Sequence, residues 1–313
     1  VLAGIKQEEN QPTAVAFRNI GKILYGENHP YGKPLTGSGT TESISKVSRD
    51  QLIKYFKNAV NPAQATFVVV GDISLNEAVN LLNEKTKNWK STTASDKVEL
   101  FDVALPEERK IYLINKPNAI QSFILAGQLL PPTGTEDEIL IDYMNYPIGG
   151  SFTSRINMNL REDKSWSYGV RTRLGDAKGQ RSLLVSAPVQ TDKTIPSIQE
   201  LIREYDEYLS TNPVTIDELA KAKASRTLRL PGQFETLGAL LGGVRDIAQY
   251  SRDTSYLDDL SELLSQPTLD EVRQTTSSYV KPNQWTWLIV GDLSKIEQGI
   301  RDLGIGEVIV IDV

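Results

Sequence analysis

The sequence predicts an α+β protein: two similar units, each an antiparallel-rich sheet covered by helices, with the first unit truncated at its N-terminus. Three observations carry this expectation. Short runs of β-branched, aliphatic and aromatic residues read as buried strands. Long amphipathic stretches read as helices packed on those strands. A segment near the N-terminus also returns near the C-terminus, the mark of a duplicated unit.

The repeat aligns Ile44 to Glu77 on Leu264 to Glu297 without a gap, at an offset of 220 residues with 11 of 34 positions identical. The identities include Pro62/Pro282, Thr66/Thr286, Gly71-Asp72/Gly291-Asp292 and Glu77/Glu297. Ser48 with Gln51, and Thr268 with Glu271, predict capping boxes that open a helix, because hydroxyl and N3 side chain reciprocally satisfy orphan backbone donors. Thr66 to Val70 and Thr286 to Val290 then predict buried strands, each stopped by Gly-Asp. Ser74 with Glu77 and Ser294 with Glu297 predict a second box and a further helix.

The second copy has a long preamble. Its first strand is expected at Lys110 to Asn115, about 180 residues before Gly291, whereas only 70 residues precede Gly71. If the copies match in size, about 110 residues of the first unit precede Val1. A polar stretch from Lys90 to about Pro106 reads as the connector, which sets the expected boundaries at 1–95, 96–106 and 107–313. Within the second unit, Gln121 to Leu130 and Ser182 to Val189 read as strands. Thr194 to Ser210, Ile216 to Leu230 and the region of Phe234 to Tyr250 read as helices.

Composition excludes several functions. With no Cys, thiol catalysis and Cys-based zinc sites are ruled out, and the single imidazole, His29 beside Pro30, reads as a loop residue. The 34 basic and 40 acidic residues give a formal charge of −6 without blocks, unlike a nucleic-acid-binding footprint. No apolar run approaches the roughly 20 residues that span a bilayer. The absence of Cys fits the bacterial periplasm or cell envelope, the expected location, and fits the cytoplasm as well.

The stretch Pro147 to Arg171 carries the most information. Ser151 is expected to cap a helix after the flexible pair Gly149-Gly150, with Phe152, Ile156 and Leu160 on one face and Arg155 and Arg161 off it. A charged turn, Glu162-Asp163-Lys164, leads into a strand expected from Ser167 to Arg173. Here the chain resembles the pitrilysin/insulinase family of zinc metallopeptidases, which includes processing peptidases and respiratory-chain core proteins. Gly149-Gly150, Ser154-Arg155, Leu160-Arg161-Glu162 and Tyr168, seven residues after Arg161, match the motif of that family's non-zinc domain. His29-Pro30-Tyr31-Gly32-Lys33-Pro34 with Gly37, and Asn61-Pro62 to Gly71-Asp72, match the end of its first domain, so the resemblance covers almost the whole chain.

The resemblance implies a clamshell half in which the zinc motif His-x-x-Glu-His lies in the first domain. That motif is not in this chain, so zinc is expected upstream or in a partner. It further implies that Tyr168 donates to the oxyanion of a tetrahedral intermediate, that Arg161 binds a substrate carbonyl, and that Gly149, Gly150 and Ser151 line the substrate channel. The expected partners are a peptide or unfolded protein substrate and a zinc-bearing domain or subunit, in a homo- or heterodimer. Arg155, Trp166 and the Trp285/Trp287 pair are expected to be structural, and Glu8-Glu9 and Asp258-Asp259 to be solvated surface. Two functions follow: the substrate-cleft half of a zinc endopeptidase, inactive alone, or a non-catalytic companion that binds peptides or scaffolds an assembly.

Overall fold

The apolar runs of the second unit form one sheet in the computed structural model, which describes residues 1–90 and 98–312. The strands are β1 (Lys110–Asn115), β2 (Gln121–Leu130), β3 (Arg171–Leu174), β4 (Arg181–Gln190), β5 (Thr286–Gly291) and β6 (Glu307–Val310). Their order is β3-β4-β2-β5-β1-β6. The pairs β3/β4, β4/β2 and β2/β5 are antiparallel, while β5/β1 and β1/β6 are parallel. The helices before the sheet are α1 (Leu2–Glu8), α2 (Pro12–Tyr25), α3 (Thr41–Ser45), α4 (Arg49–Ala59) and α5 (Leu75–Thr86). Within and after it come α6 (Glu138–Asn145), α7 (Arg155–Asn157), α8 (Thr194–Leu209), α9 (Ile216–Thr227) and α10 (Leu230–Gln233). The last four are α11 (Leu237–Tyr250), α12 (Tyr256–Ser265), α13 (Leu269–Tyr279) and α14 (Leu293–Asp302).

Side chains alternate across a strand, so a central strand without polar alternation needs cover on both faces. One face presents Ile111, Leu113, Ile124, Ala126, Val185, Ala187, Trp287 and Ile289 to α6, α8, α9, α12, α13 and α14. Tyr205 of α8 meets Trp285 edge-on at 4.5 Å, and Tyr143 of α6 donates to the Leu264 carbonyl at 2.7 Å. The opposite face presents Phe123, Leu125, Leu129, Leu184, Leu288 and Val290 to Val15, Ala16, Ile20 and Leu24 of α2. A helix that precedes the repeat's first strand-like run thus closes the second unit's sheet.

Several expectations are corrected. Thr66 to Val70 forms no strand, because among the described residues no neighbouring strand completes its hydrogen bonds. Phe67 is 53 % exposed, whereas its repeat counterpart Trp287 is 2 % exposed. The boxes at Ser48, Thr268 and Ser74 form as expected. Ser294/Glu297 does not: Asp292 is the cap residue, Ser294 Oγ donates to Asp292 Oδ1 at 2.7 Å, and Glu297 pairs with Arg301. The helix expected from Ile216 to Leu230 stops at Thr227, whose carbonyl would need the N–H that Pro231 lacks. Ser151 caps no helix; the helical segment starts at Arg155, and Phe152 lies exposed outside it while Ile156 and Leu160 are buried. The strand expected from Ser167 begins only at Arg171.

Two surface expectations also change. Glu8 is half-buried, accepting from Arg18 Nη1 and from Ser38 Oγ, both at 2.6 Å. Of the expected connector, residues 91–97 lie outside the described residues. The remainder is pinned: Val103 N–H donates to Gln180 Oε1 at 2.7 Å, Gln180 Nε2 donates back to the Val103 carbonyl at 3.1 Å, and Tyr25 Oη donates to the Gln180 carbonyl at 2.9 Å. His29 lies in a loop yet is buried, with Nδ1 accepting from Tyr31 N–H at 3.0 Å and Nε2 at 3.1 Å from the Phe101 carbonyl.

Because α2 covers an otherwise bare sheet face, Ile20→Ala should destabilise the chain by about 2–5 kcal/mol in urea unfolding. A loss below about 0.5 kcal/mol would mean that α2 is not seated on the sheet.

Candidate functional site

The site is built on a helical segment that widens as it proceeds. α7 continues from Met158 to Asp163 in a π-type turn, marked by the Lys164 N–H donating five residues back to the Asn159 carbonyl at 3.0 Å. Ile156 and Leu160 anchor the segment in the core, which leaves Arg161 on the outer side. Asn159 fixes it to α8, donating to Glu200 Oε2 at 2.7 Å and Glu204 Oε1 at 2.6 Å. Partial burial opposes ionisation of Glu200, but hydrogen bonds from Asn159 and Arg203 outweigh it and hold the carboxyl below its ordinary value. Glu200 therefore stays charged at neutral pH.

The following loop, 164–170, is tied down by its backbone rather than by its tip. Ser165 adopts positive φ (56°), Val170 N–H donates to Asn157 Oδ1 at 2.9 Å, and Ser167 Oγ donates to the Pro188 carbonyl at 2.6 Å. Gln190 N–H of β4 donates to the Trp166 carbonyl at 3.1 Å. These anchors hold the loop while the Tyr168 side chain stands 89 % exposed. Arg161 and Tyr168, paired by sequence, line one open cavity of about 330 Å³ with Gln121, Glu162, Ser165 and Gln190. Arg161 donates to Glu162 Oε1 at 2.6 Å and lies over the Phe152 ring at 4.6 Å. That single hydrogen bond leaves most of the five guanidinium donors available. The contact with Phe152 was not legible in the sequence, where Phe152 reads as a core residue.

Gly149, Gly150 and Ser151 do not join that cavity. Gly149 is buried, and a Cβ there would lie 2.0 Å from Thr172 Oγ1, so packing against β3 accounts for this glycine. Arg155, the other arginine of the motif, is a staple as expected. Its Nε donates to Glu218 Oε1 and its Nη2 to Glu218 Oε2, both at 2.7 Å; Nη2 also reaches the Pro213 carbonyl, and the guanidinium stacks on Tyr208 at 5.0 Å. Trp285 donates to Gln128 Oε1 at 2.7 Å and is structural, as is the buried Trp287.

The residues present do not fit a zinc site. His29 is committed to the hydrogen bonds above, and among the described residues no group of three or more His, Cys, Asp or Glu side chains is placed to hold a metal ion. No helix among them is long and apolar enough to cross a membrane.

Residues 46–226 match the family model described as the peptidase M16 inactive domain. A relative named as an uncharacterized zinc protease YmxG, from Bacillus subtilis (strain 168), is 25 % identical over 223 residues, covering 71 % of this chain and 52 % of its own length. A Helicobacter pylori relative named as the non-peptidase homolog YmxG is 20 % identical over 302 residues, covering 94 % of this chain and 67 % of its own. The crystal structure of a peptidase M16 inactive domain from Pseudomonas fluorescens superimposes with a TM-score of 0.81 at 21 % identity, over 93 % of this chain and 68 % of that one. The chain spans about half the length of the Bacillus relative.

The staple predicts a pH dependence. Burial pushes the Glu218 carboxyl up, but the hydrogen bonds from Arg155 and Thr215 prevail and hold it below its ordinary value of 4.5. A depressed folded value contributes stability that is complete above pH 4.5 and is lost as pH falls through the lowered value. Arg155→Ala should cost about 2–3 kcal/mol at pH 7, less than a fully buried pair because both side chains keep some solvent contact. The difference between wild type and variant should shrink below pH 4; a difference constant from pH 7 to 3 would contradict the assignment.

Proposed function

The chain belongs to the peptidase M16 family through its inactive domain, and from that membership we propose that it is the substrate-cleft and transition-state-stabilising part of a zinc-dependent endopeptidase. A zinc-bearing domain or subunit completes it, and its substrates are peptides or unfolded protein segments. The observation that supports this reading most is the shared cavity of Arg161 and Tyr168: a rigid loop presents an exposed phenol beside a guanidinium with donors to spare.

The chemistry asked of this chain is modest. As the scissile carbonyl becomes tetrahedral, negative charge collects on its oxygen, and the Tyr168 hydroxyl donates a hydrogen bond there. Arg161 donates charge-assisted hydrogen bonds to a neighbouring backbone carbonyl and holds the peptide in register. Neither residue needs to exchange a proton with the substrate. The anchors of the loop at Asn157, Pro188 and Gln190 hold the donor in place before the charge develops, which is where such sites gain their effect.

The exposed apolar residues of the first unit support the need for a partner domain. Leu52, Phe56, Val60, Phe67 and Val69 are all exposed, whereas their repeat counterparts Val272, Thr276, Val280, Trp287 and Ile289 are all buried. A second reading, a non-catalytic companion, is supported by the name of the Helicobacter relative.

In the assembly with a zinc-loaded domain, Tyr168→Phe should lower kcat on a peptide substrate by about 10²- to 10³-fold without changing the unfolding midpoint. Arg161→Ala should chiefly raise KM. Unchanged kinetics for both variants would sink the cleft assignment and leave the companion reading.

A further inference from the structure

A second cavity, of about 670 Å³, lies between α6, the corner joining α9 to α10, α11 and α12, and shares no lining residue with the cavity of Arg161 and Tyr168. Its volume suits a small organic molecule. The sequence keeps it open. The side of α11 that lines it carries Ala239, Gly242 and Gly243. At Gly243 the helix touches its neighbours, since a Cβ there would meet Phe234 at 2.9 Å and Leu257 at 3.3 Å; one residue earlier, a Cβ at Gly242 would meet nothing within 4 Å. Ser251, with φ at 54°, then reverses the chain, so that the Arg252 N–H returns to the Ile247 carbonyl at 3.0 Å and the Arg252 side chain lines the cavity.

Charged groups dominate the wall, and much of their charge is internally satisfied. Arg252 forks onto Glu138 at 2.7 and 2.8 Å, with the rings of Tyr250 and Tyr256 at 5.7 and 4.4 Å from its guanidinium, and Arg226 pairs with Asp142 at 2.8 Å. The surplus lies with the donors. Arg252 Nε is buried and has no partner among the described residues. Behind the wall, Arg181 of β4 is 1 % exposed, close enough for its charge to act on Glu138 and Asp142, and its Nε and Nη2 are likewise unpartnered. At the rim, Arg229 is exposed, and its guanidinium has no partner among the described residues. Two acceptors are also underused: Asp176 takes a hydroxyl from Thr133 at 3.4 Å, and Asp246 pairs with the exposed Arg245 at 3.3 Å.

We propose that this cavity binds the C-terminal end of a short peptide whose last side chain is apolar. The terminal carboxylate accepts from Arg229 and from Arg252 Nε, the last side chain packs on Phe234, Leu257 and Leu260, and Asp176 accepts from the peptide's N–H groups. The unsatisfied groups select this ligand. Free guanidinium donors call for a planar anion, which a carboxylate supplies. The leucines and phenylalanine call for an apolar body, which an inorganic anion lacks. The underused carboxylates call for N–H donors; a fatty acid has none and would cover Asp176 without replacing its water. Arg252 is already held by Glu138 and two rings, so little ordering is needed when the ligand enters. The site needs no zinc-bearing partner and does not depend on the chemistry of the cleft.

The test is titration calorimetry of the 1–313 chain with three probes: the dipeptide acetyl-Ala-Phe with a free carboxylate, its C-terminal amide, and octanoate. The acid should bind at least about tenfold more tightly than the amide or octanoate. Arg229→Gln should weaken the acid by about tenfold or more while leaving the unfolding midpoint unchanged, since that side chain is exposed and unpaired. Arg252→Lys keeps a positive charge for Glu138 but removes the Nε–H, and should likewise weaken the acid and spare the amide. Equal affinity for acid and amide, or unchanged affinity in both arginine variants, would overturn the assignment. Tighter binding of octanoate would make the site one for fatty acids, and loss of binding in Arg161→Ala but not in Arg229→Gln would place the peptide in the cleft; either result also overturns it. No binding of any probe at about 10 mM would leave the cavity to water alone.

Discussion

The structure depends on one constraint: the central strands β2 and β5 are apolar on both faces, so the sheet cannot stand without a layer on each side. The helices that follow β2 and β4 supply the first layer, as helices connected within a unit usually do. The second layer comes from α2, more than 80 residues before β1. Removing water from both faces of the middle strands is the largest favourable contribution the fold makes, at about 25 cal/mol per Å² of apolar surface. Everything near the C-terminal half, including the loop that bears Tyr168, is anchored on that doubly covered sheet.

The same constraint explains why two related sequences take different forms. TWLIV is a central strand because β2 and β1 flank it, whereas TFVVV, at the same place in the repeat, has no flanking strand among the described residues and stays outside any strand with no residue buried. Strand propensity describes fitness for a pleated, half-buried surface and cannot supply the neighbours. A local signal that needs no neighbours, the capping box at Ser48 and its counterpart at Thr268, forms in both copies, and the box at Ser74 forms in the first. Ser294 does not act as a cap: the helix starts one residue before it, at Leu293, and its hydroxyl donates to Asp292 Oδ1.

The strands β1, β2, β4 and β5 and the helix α8 were therefore legible in the sequence to within a residue, whereas β3 and one end each of α9 and α11 were misplaced by three or four residues and β6 was not read; Arg161 and Tyr168 of the motif line one cavity. What was not legible came from tertiary contacts. The widening of the helix after Asn157 left no mark in the spacing of Phe152, Ile156 and Leu160, and the helix starts at Arg155, past Ser151. Gly149 reads as a glycine that admits a ligand, yet its place is dictated by Thr172, a residue 23 positions away that only the folded sheet brings beside it. The two arginines of one motif divided their roles for the same reason: Arg155 met Glu218 and became a staple, while Arg161 met only Glu162 and a phenyl ring at the surface.

In the proposed assembly this chain supplies transition-state donors to a zinc-bearing partner. The most direct test of this is reconstitution: peptide hydrolysis by a zinc-loaded M16 first domain, by the 1–313 chain, and by the two mixed, with zinc content measured in each. No cleavage is expected from either protein alone, and cleavage by the mixture should saturate as the 1–313 chain is added. Cleavage by the zinc-bearing domain that is equally fast without this chain, or a zinc-replete mixture that forms a complex and cleaves nothing, would contradict it.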